Sequence, residues 1–334
     1  MSIRRLRLLV AAVVIAALGA AALLPLTIGS IRAPKHALPN PNGYDDFVRA
    51  SNLIVGDMGS FGDLDQNALR ELVSSNAEPL RLLRLGLTRT CSFPTDVALT
   101  NQGWMIGELP HLKYSALLLR AEGRLAEIDG RPGDAADSYL QAIRFGNEIS
   151  RGGFLINRLV GIACEAIGQV ALAKLVSSLV PQKAADVAKE LQKIDQERVG
   201  FDEIKHNERR FGTQELFKER NPVHWITGAW EAWRMTRRYE IRNKILIAHE
   251  RLLAAELALR CYRSEVGRVP ARLDDLIPNF LSNVPLDPFT DRPMIYRPHA
   301  TTWLLYSIGQ DGIDDGGAPA GKLSTKGDIL FDSP

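Results

Sequence analysis

The chain has 334 residues, with 41 Lys+Arg against 39 Asp+Glu, a formal net charge of +2, 46% apolar residues and 24% charged ones. These values exclude wholesale disorder, an acidic-tail protein and a strongly basic nucleic-acid binder, so no nucleic acid is expected as a partner. Three Cys exclude a disulfide-stapled scaffold, and the length allows one large or two medium domains.

Leu8 to Leu24 carry no charged or strongly polar side chain, and continuing to Ile28 the run reaches 21 residues. As a helix it would be roughly 31 Å long, the thickness of the bilayer's hydrocarbon core. Arg4, Arg5 and Arg7 precede it and Arg32 and Lys35 follow, a balance that favours the N-terminus inside. The expectation is a cytoplasmic stub and transmembrane anchor over residues 1–32, with the membrane contacted by residues 8–28. The chain is then a single-pass protein of the bacterial inner (cytoplasmic) membrane, with residues 40–334 outside the cytoplasm. A signal peptide cut near Ala20-Ala21-Ala22 is the rival reading. No later segment reaches 18 uninterrupted apolar residues. Cys164 and Cys261 lie within helical patterns, where burial suits unpaired thiols.

Residues 33–44, rich in Pro, Asn and Gly, read as a linker. Asp45 and Asp46 open an amphipathic helix through Ile54. Asp63 or Asp65 is placed to cap the next, with Leu69, Leu72 and Val73 on one face. Glu78–Leu87 is a third. Residues 88–110, with Pro94, Gly103, Gly107 and Pro110, are expected as a loop. Leu112 to Leu179 is predominantly helical.

Within that stretch, Gly123, Gly130, Ala135, Tyr139 and Ala142 fall where a tetratricopeptide repeat places its small and aromatic residues. Residues 116–149 therefore resemble one such helical hairpin, with Tyr139 filling the gap between two antiparallel helices. Leu119 replaces the motif's Trp, Asn147 its terminal Pro, and the next frame does not repeat, so an array is not expected. Phe154 to Val180 reads as a very apolar central core helix, with Leu155, Leu159, Ile162, Ala166, Val170 and Ala173 at helical spacing and Pro181 ending it. Ala184–Gln196 is amphipathic. In residues 198–239, Trp225, Trp230 and Trp233 mingle with Arg and Glu of both signs, which reads as a solvated helical excursion, with membrane contact next. From Glu240, Ile241, Ile245, Ala248, Leu252, Ala255, Leu259 and Tyr262 form one seam on a spine helix that Gly267 stops.

After Gly267 come short strand-like runs: Val284-Pro285-Leu286-Asp287-Pro288, Ile295-Tyr296, Leu304-Leu305-Tyr306-Ser307, Gly309-Gln310-Asp311-Gly312, Asp314-Asp315-Gly316-Gly317 and Gly327-Asp328-Ile329. This ordered set, from residue 254 onward, resembles the C-terminal domain of the major pseudopilin of type II secretion systems. The resemblance implies a helix feeding a small antiparallel sheet, with a calcium-binding loop before the last strand. It favours Asp311 and Asp328 as ligands, with Asp314 and Asp315 as alternates and carbonyls near Ser307 contributing. From the residues themselves, close carboxylates separated by Gly suit Ca²⁺, which takes 6–8 oxygen ligands, or a solvated turn. The acidic residue and short leader of a pseudopilin are missing from the anchor, so filament assembly by that route is not expected. The whole layout is similar to that of membrane-anchored bacterial envelope proteins, a likeness that carries no activity.

The six His are scattered, and His249-Glu250 lacks the second His of a zinc-protease helix. No nucleophile elbow, P-loop or Cys-x-x-Cys is present. Glu165, in the apolar helix, is the one carboxylate that burial could tune, and a pairing with an Arg such as Arg158 is the plainer expectation. Arg151, beside Gly152-Gly153, reads as a helix junction. The expected architecture is mainly α: an N-terminal transmembrane helix, a helical domain over 45–239 holding one tetratricopeptide-like unit, and a small α+β domain over 240–334. The expected function is a non-enzymatic envelope scaffold that binds another envelope protein, attached to secretion or pilus-like machinery. An extracytoplasmic hydrolase of cell-wall or polysaccharide substrates is the alternative. Facing carboxylates in a cleft would favour the hydrolase, an apolar groove the binding protein.

Overall fold

The computed structural model describes residues 37–95, 102–216, 222–319 and 326–331, excepting the side chains of 102–106, 108, 210–216 and 222–233. The expected anchor at 8–28 and the side chains of Trp225, Trp230 and Trp233 lie outside the described residues. Residues 39–334 form one compact unit.

The chain is mainly helical, with a small antiparallel sheet at its C-terminal end. Asn42 accepts the Tyr44 N–H and starts α1 (Gly43–Leu53), whose first turn holds Asp45 and Asp46. Asp65, not Asp63, caps α2 (Gln66–Ser75) by accepting from the Ala68 N–H, and α3 (Ala77–Leu87) follows. The expected loop over 88–110 is corrected: α4 spans Gln102–Ile128 and passes through Pro110. Leu109, Leu112, Ala116 and Leu119 repeat every three or four residues and are all buried. That seam outweighs the helix bond that Pro110 removes, worth about 3 kcal/mol.

Helix α5 (Pro132–Glu148) returns antiparallel to α4, starting on a Pro suited to a first turn. Tyr139 fills the gap between them, as its spacing predicts. Its ring lies against Gly123, where an added Cβ would sit 2.3 Å from Cε1. Helices α6 (Leu155–Leu175), α7 (Pro181–Gln196), α8 (Phe201–Leu216) and α9 (Pro222–Val266) complete the helical part. The expected spine helix is longer than its apolar seam. Helix α9 is continuous for 45 residues, so the boundary placed between 239 and 240 falls inside it.

Strands β1 (Ile295–Pro298), β2 (Trp303–Ser307) and β3 (Ile329–Leu330) pair antiparallel in that order, with Tyr296 opposite Leu305 and Ser307 opposite Ile329. Leu305 and Ile329 join Leu252, Ala255 and Leu259 of α9 in one apolar core that continues into α5, α6 and α7. A second core gathers α1, α3, α4 and α5 around Phe47, Leu83, Leu119 and Phe145. All three Cys are buried and unpaired.

Helix α6 is the expected core helix, but its buried face is mixed. Leu155, Cys164, Ala171, Leu172 and Leu175 are buried beside Asn157, Arg158, Glu165, Gln169, Gly161 and Gly168. Of the expected apolar stripe, Leu155 is buried, Leu159, Ile162, Ala166 and Ala173 are half-buried and Val170 is 55% exposed. Helix α6 is long and apolar enough to cross a membrane by length and composition, yet half of it is packed inside the protein.

Candidate functional site

The buried face of α6 is the centre of a charged network. The Glu165 carboxylate is wholly buried and accepts from Arg158, one oxygen, and from Arg198, the other. Arg158, 1% exposed, also donates from Nε to Asn243 of α9 at 2.8 Å. Arg198, just past α7, donates from Nη2 to both oxygens of Glu250 on α9, at 2.7 and 2.8 Å. Gln169 donates to Glu250 at 2.7 Å. Asp195 extends the chain of charges, accepting from Arg251 Nε at 2.8 Å and lying 3.4 Å from Arg198 Nε. The expected pairing of Glu165 with Arg158 is found; the sequence did not reveal that Arg198 and Glu250 complete it. The signal in the sequence is weaker for Glu250, which stands between His249 and Arg251 in an otherwise apolar stretch of α9.

Burial raises the Glu165 carboxyl, but Arg158 and Arg198 override it and hold the group below its usual value. Glu250 has less compensation. Burial first, opposed by Arg198 and helped by the nearby charges of Glu165 and Asp195, pushes it up to about 7. Arg151 sits at the α5–α6 junction, where it pairs with Glu148 and donates to the Glu197 carbonyl at 3.0 Å.

Two recesses flank the network. A cleft of about 310 Å³ between α7, α9 and residues 283–286 is lined by Gln192, Asp195, Glu250, Arg251 and Asn283. Two carboxylates therefore border one cleft, but Arg198 and Arg251 already hold them, so neither stands as a free acid or base. On the other face of α6, a groove of about 550 Å³ runs between α6 and α9. Its floor is Ile162, Ala166, Val170, Ala173, Ile245, Leu246 and Leu253. Phe331, Lys174 and Arg242 stand at its margins, and no Asp or Glu lines it. Burial lowers the His249 imidazole, so the one His in the groove is neutral near pH 7.

The four aspartates expected to bind metal lie on the loop between β2 and β3. Asp314 accepts from the Tyr306 hydroxyl at 2.7 Å, Arg297 at 3.0 Å and the Gly316 N–H at 2.9 Å. Asp311 takes the Gly327 N–H at 3.3 Å, and Asp328 takes the Gly317 N–H at 2.6 Å. Asp311 and Asp328 thus clamp the two limbs of the loop together, while Asp315 is exposed. Among the described residues no three His, Cys, Asp or Glu side chains gather to hold a metal. One feature fits a cation: Asp328 is fully buried and its Oδ1 has no hydrogen-bond partner among the described residues. Burial raises its carboxyl. Asp314 does not fit, because Tyr306 and Arg297 occupy its oxygens.

Comparison with protein-family models, curated proteins and solved structures finds no match in any of the three.

Proposed function

We propose that the chain is a non-enzymatic binding scaffold of the bacterial envelope and that the α6/α9 groove receives its ligand. One observation carries this reading: α6 and α9 wall an apolar groove in which Val170 is exposed and Ile162 and Ala166 half-buried, while Arg158, Glu165 and Gln169 lie on the buried face of α6. Burying Arg158, Glu165 and Gln169 costs desolvation that an apolar face turned inward would avoid. A fold that does so and leaves Val170 exposed, with Ile162 and Ala166 only half-covered, has a use for that groove. In this reading residues 8–28 anchor the chain, and the helical part stands outside the cytoplasm beside another envelope protein. The α4/α5 hairpin serves as one tetratricopeptide-like unit, a reading supported by Tyr139 against Gly123. The C-terminal part follows the pseudopilin resemblance, with Asp328 and Asp311 the residues to hold Ca²⁺, whose charge would neutralise them.

The hydrolase alternative rests on Asp195 and Glu250 bordering one cleft. It is the weaker reading because guanidinium groups take the oxygens that acid–base chemistry would need. The test is a photoreactive residue placed at position 170 of the full chain and, as control, at the exposed polar position Glu71 on α2. After irradiation in cells, a discrete mass adduct at 170 and none at 71 is expected. Equal adducts at both positions, or none at 170, would remove the groove from the function.

A further inference from the structure

The α6/α9 groove has a polarity that names a ligand class, an inference that rests on the reading of the groove as a binding surface. Arg158 bonds to Asn243 near the start of the helix pair, and Gln169 bonds to Glu250 further along both helices. The two helices therefore run parallel, with Arg242 at one end of the groove and Lys174 at the other. From Ile162 to Lys174 is about 18 Å at the helical rise. Between these ends the lining is mostly hydrocarbon, with Gln169 and His249 its polar members, and the volume of about 550 Å³ falls within the ~300–1,000 Å³ of small-molecule sites.

The charge at the ends is one-sided. No acidic residue lines the groove, and neither Arg242 nor Lys174 has a hydrogen bond or ion pair among the described residues. Nearby cations differ: Arg158 and Arg198 are held by carboxylates. Arg238, also exposed, stands one turn before Arg242 and adds to the positive end. A guanidinium is the side chain best matched to a carboxylate or phosphate, because its planar fork donates two parallel bonds. We infer that the groove binds an amphipathic anion, a hydrocarbon chain lying on Ile162, Ala166, Val170 and Leu246 with its carboxylate or phosphate head at Arg242. Lys174 closes the far end, where its charge excludes a cationic amphiphile from lying the other way round.

The experiment is photolabelling of the full chain, in lipid nanodiscs, with a diazirine-bearing fatty acid and with the matching alkylamine. Tandem mass spectrometry locates the adducts, and excess dodecanoate or dodecylammonium competes for them. The expected result is labelling of residues 162–174 and 242–253 by the acid, at least tenfold stronger than by the amine and displaced by dodecanoate. Arg242→Glu should abolish or reverse that preference, and Val170→Glu should remove labelling by both probes. Equal labelling by acid and amine, each displaceable, overturns the anion inference and leaves the groove as an apolar binding surface. Groove labelling that excess dodecanoate does not reduce means contact with bulk lipid and overturns the inference. Chain-to-chain crosslinks in place of probe adducts give the groove to a second copy and overturn it as well. No labelling of the groove by either probe, together with no adduct from the photoreactive residue at 170, ends both readings.

Discussion

Gly146 on α5 and Gly161 on α6 meet backbone to backbone. A Cβ added at Gly161 would lie 2.4 Å from the Gly146 carbonyl oxygen, and one added at Gly146 would lie 2.5 Å from that of Gly161. This close approach brings α6 down onto α5 at the level of Ser150, Arg158 and Glu165, and it draws the polar Arg158 and Glu165 of α6 into the interior. Small residues permit contact on that side, while Val170 stays exposed on the other.

Alanine at Gly161 should therefore destabilise the protein by about 1–3 kcal/mol, because backbone and the Ser150 hydroxyl must give way. Gly107 is the control. It lies exposed in α4 with nothing within 4 Å of an added Cβ, so alanine there should stabilise by about 0.5–1 kcal/mol through helix propensity. Denaturant unfolding of the two variants checks the contrast, and a Gly161→Ala chain as stable as the parent would refute the close contact.

Removing one member of the buried network should cost more than removing the charge pair. Glu165→Gln leaves Arg158 and Arg198 without their shared carboxylate, a loss of about 3–5 kcal/mol. The double variant Arg158→Met with Glu165→Leu should recover part of that loss by replacing ions with hydrocarbon. Unfolding midpoints of the single and double variants measure the coupling.

Glu250 gives stability a pH dependence with a definite sign. Its pKa rises from 4.5 to about 7 on folding, so the folded state holds its proton more tightly than the unfolded state. The contribution is fully present below pH 4.5 and is lost as pH rises through about 7. Glu165 acts the other way, because its carboxyl is held below the ordinary value and its contribution is lost only on acidification. Between pH 5 and 7, Glu250→Gln should thus flatten the fall in stability seen in the parent, even though the loss of its bonds with Arg198 lowers stability throughout. Guanidinium melts at pH 5 and 7 compare the slopes.

On the C-terminal loop, Ca²⁺ should raise the melting temperature of the full chain, and Asp328→Asn should abolish the rise. Asp314→Ala should lower the melting temperature with or without Ca²⁺, since it removes the partner of Tyr306 and Arg297. Identical Ca²⁺ responses in the parent and Asp328→Asn chains would leave the aspartates with a structural role alone.

Much of the helical layout was legible because it depends on local periodicity. A cap at Asp63 or Asp65, of which the structure uses Asp65, the hairpin with Tyr139 over Gly123, and the short strands after Gly267 all follow from residue types at fixed spacing. The helix through Pro110 was not legible, because Pro and two Gly marked a loop while the seam at Leu109, Leu112 and Ala116 outweighed them. Of the candidate site, Glu165 and its pairing with Arg158 were readable from a lone carboxylate in an apolar run. Arg198 and Glu250 were not, since they lie 33 and 85 residues further along; Arg198 meets Glu165, and Glu250 meets Arg198, only in the folded chain.

By itself the sequence determined most of the helical segments, though not the start of α4 or the length of α9, where a small sheet begins, and that few ionisable groups stand inside apolar runs. Those properties reside in neighbours a few residues apart. Only the tertiary structure decided which side of α6 is inside. Its composition offers an apolar stripe for burial. The approach of Gly146 to Gly161 and the charges of Arg198 and Glu250 make the polar side the better partner for α5, α7 and α9. Ile162, Ala166, Val170 and Ala173 are left along the wall of a groove, only partly covered, because a helix can present only one face to its nearest neighbours.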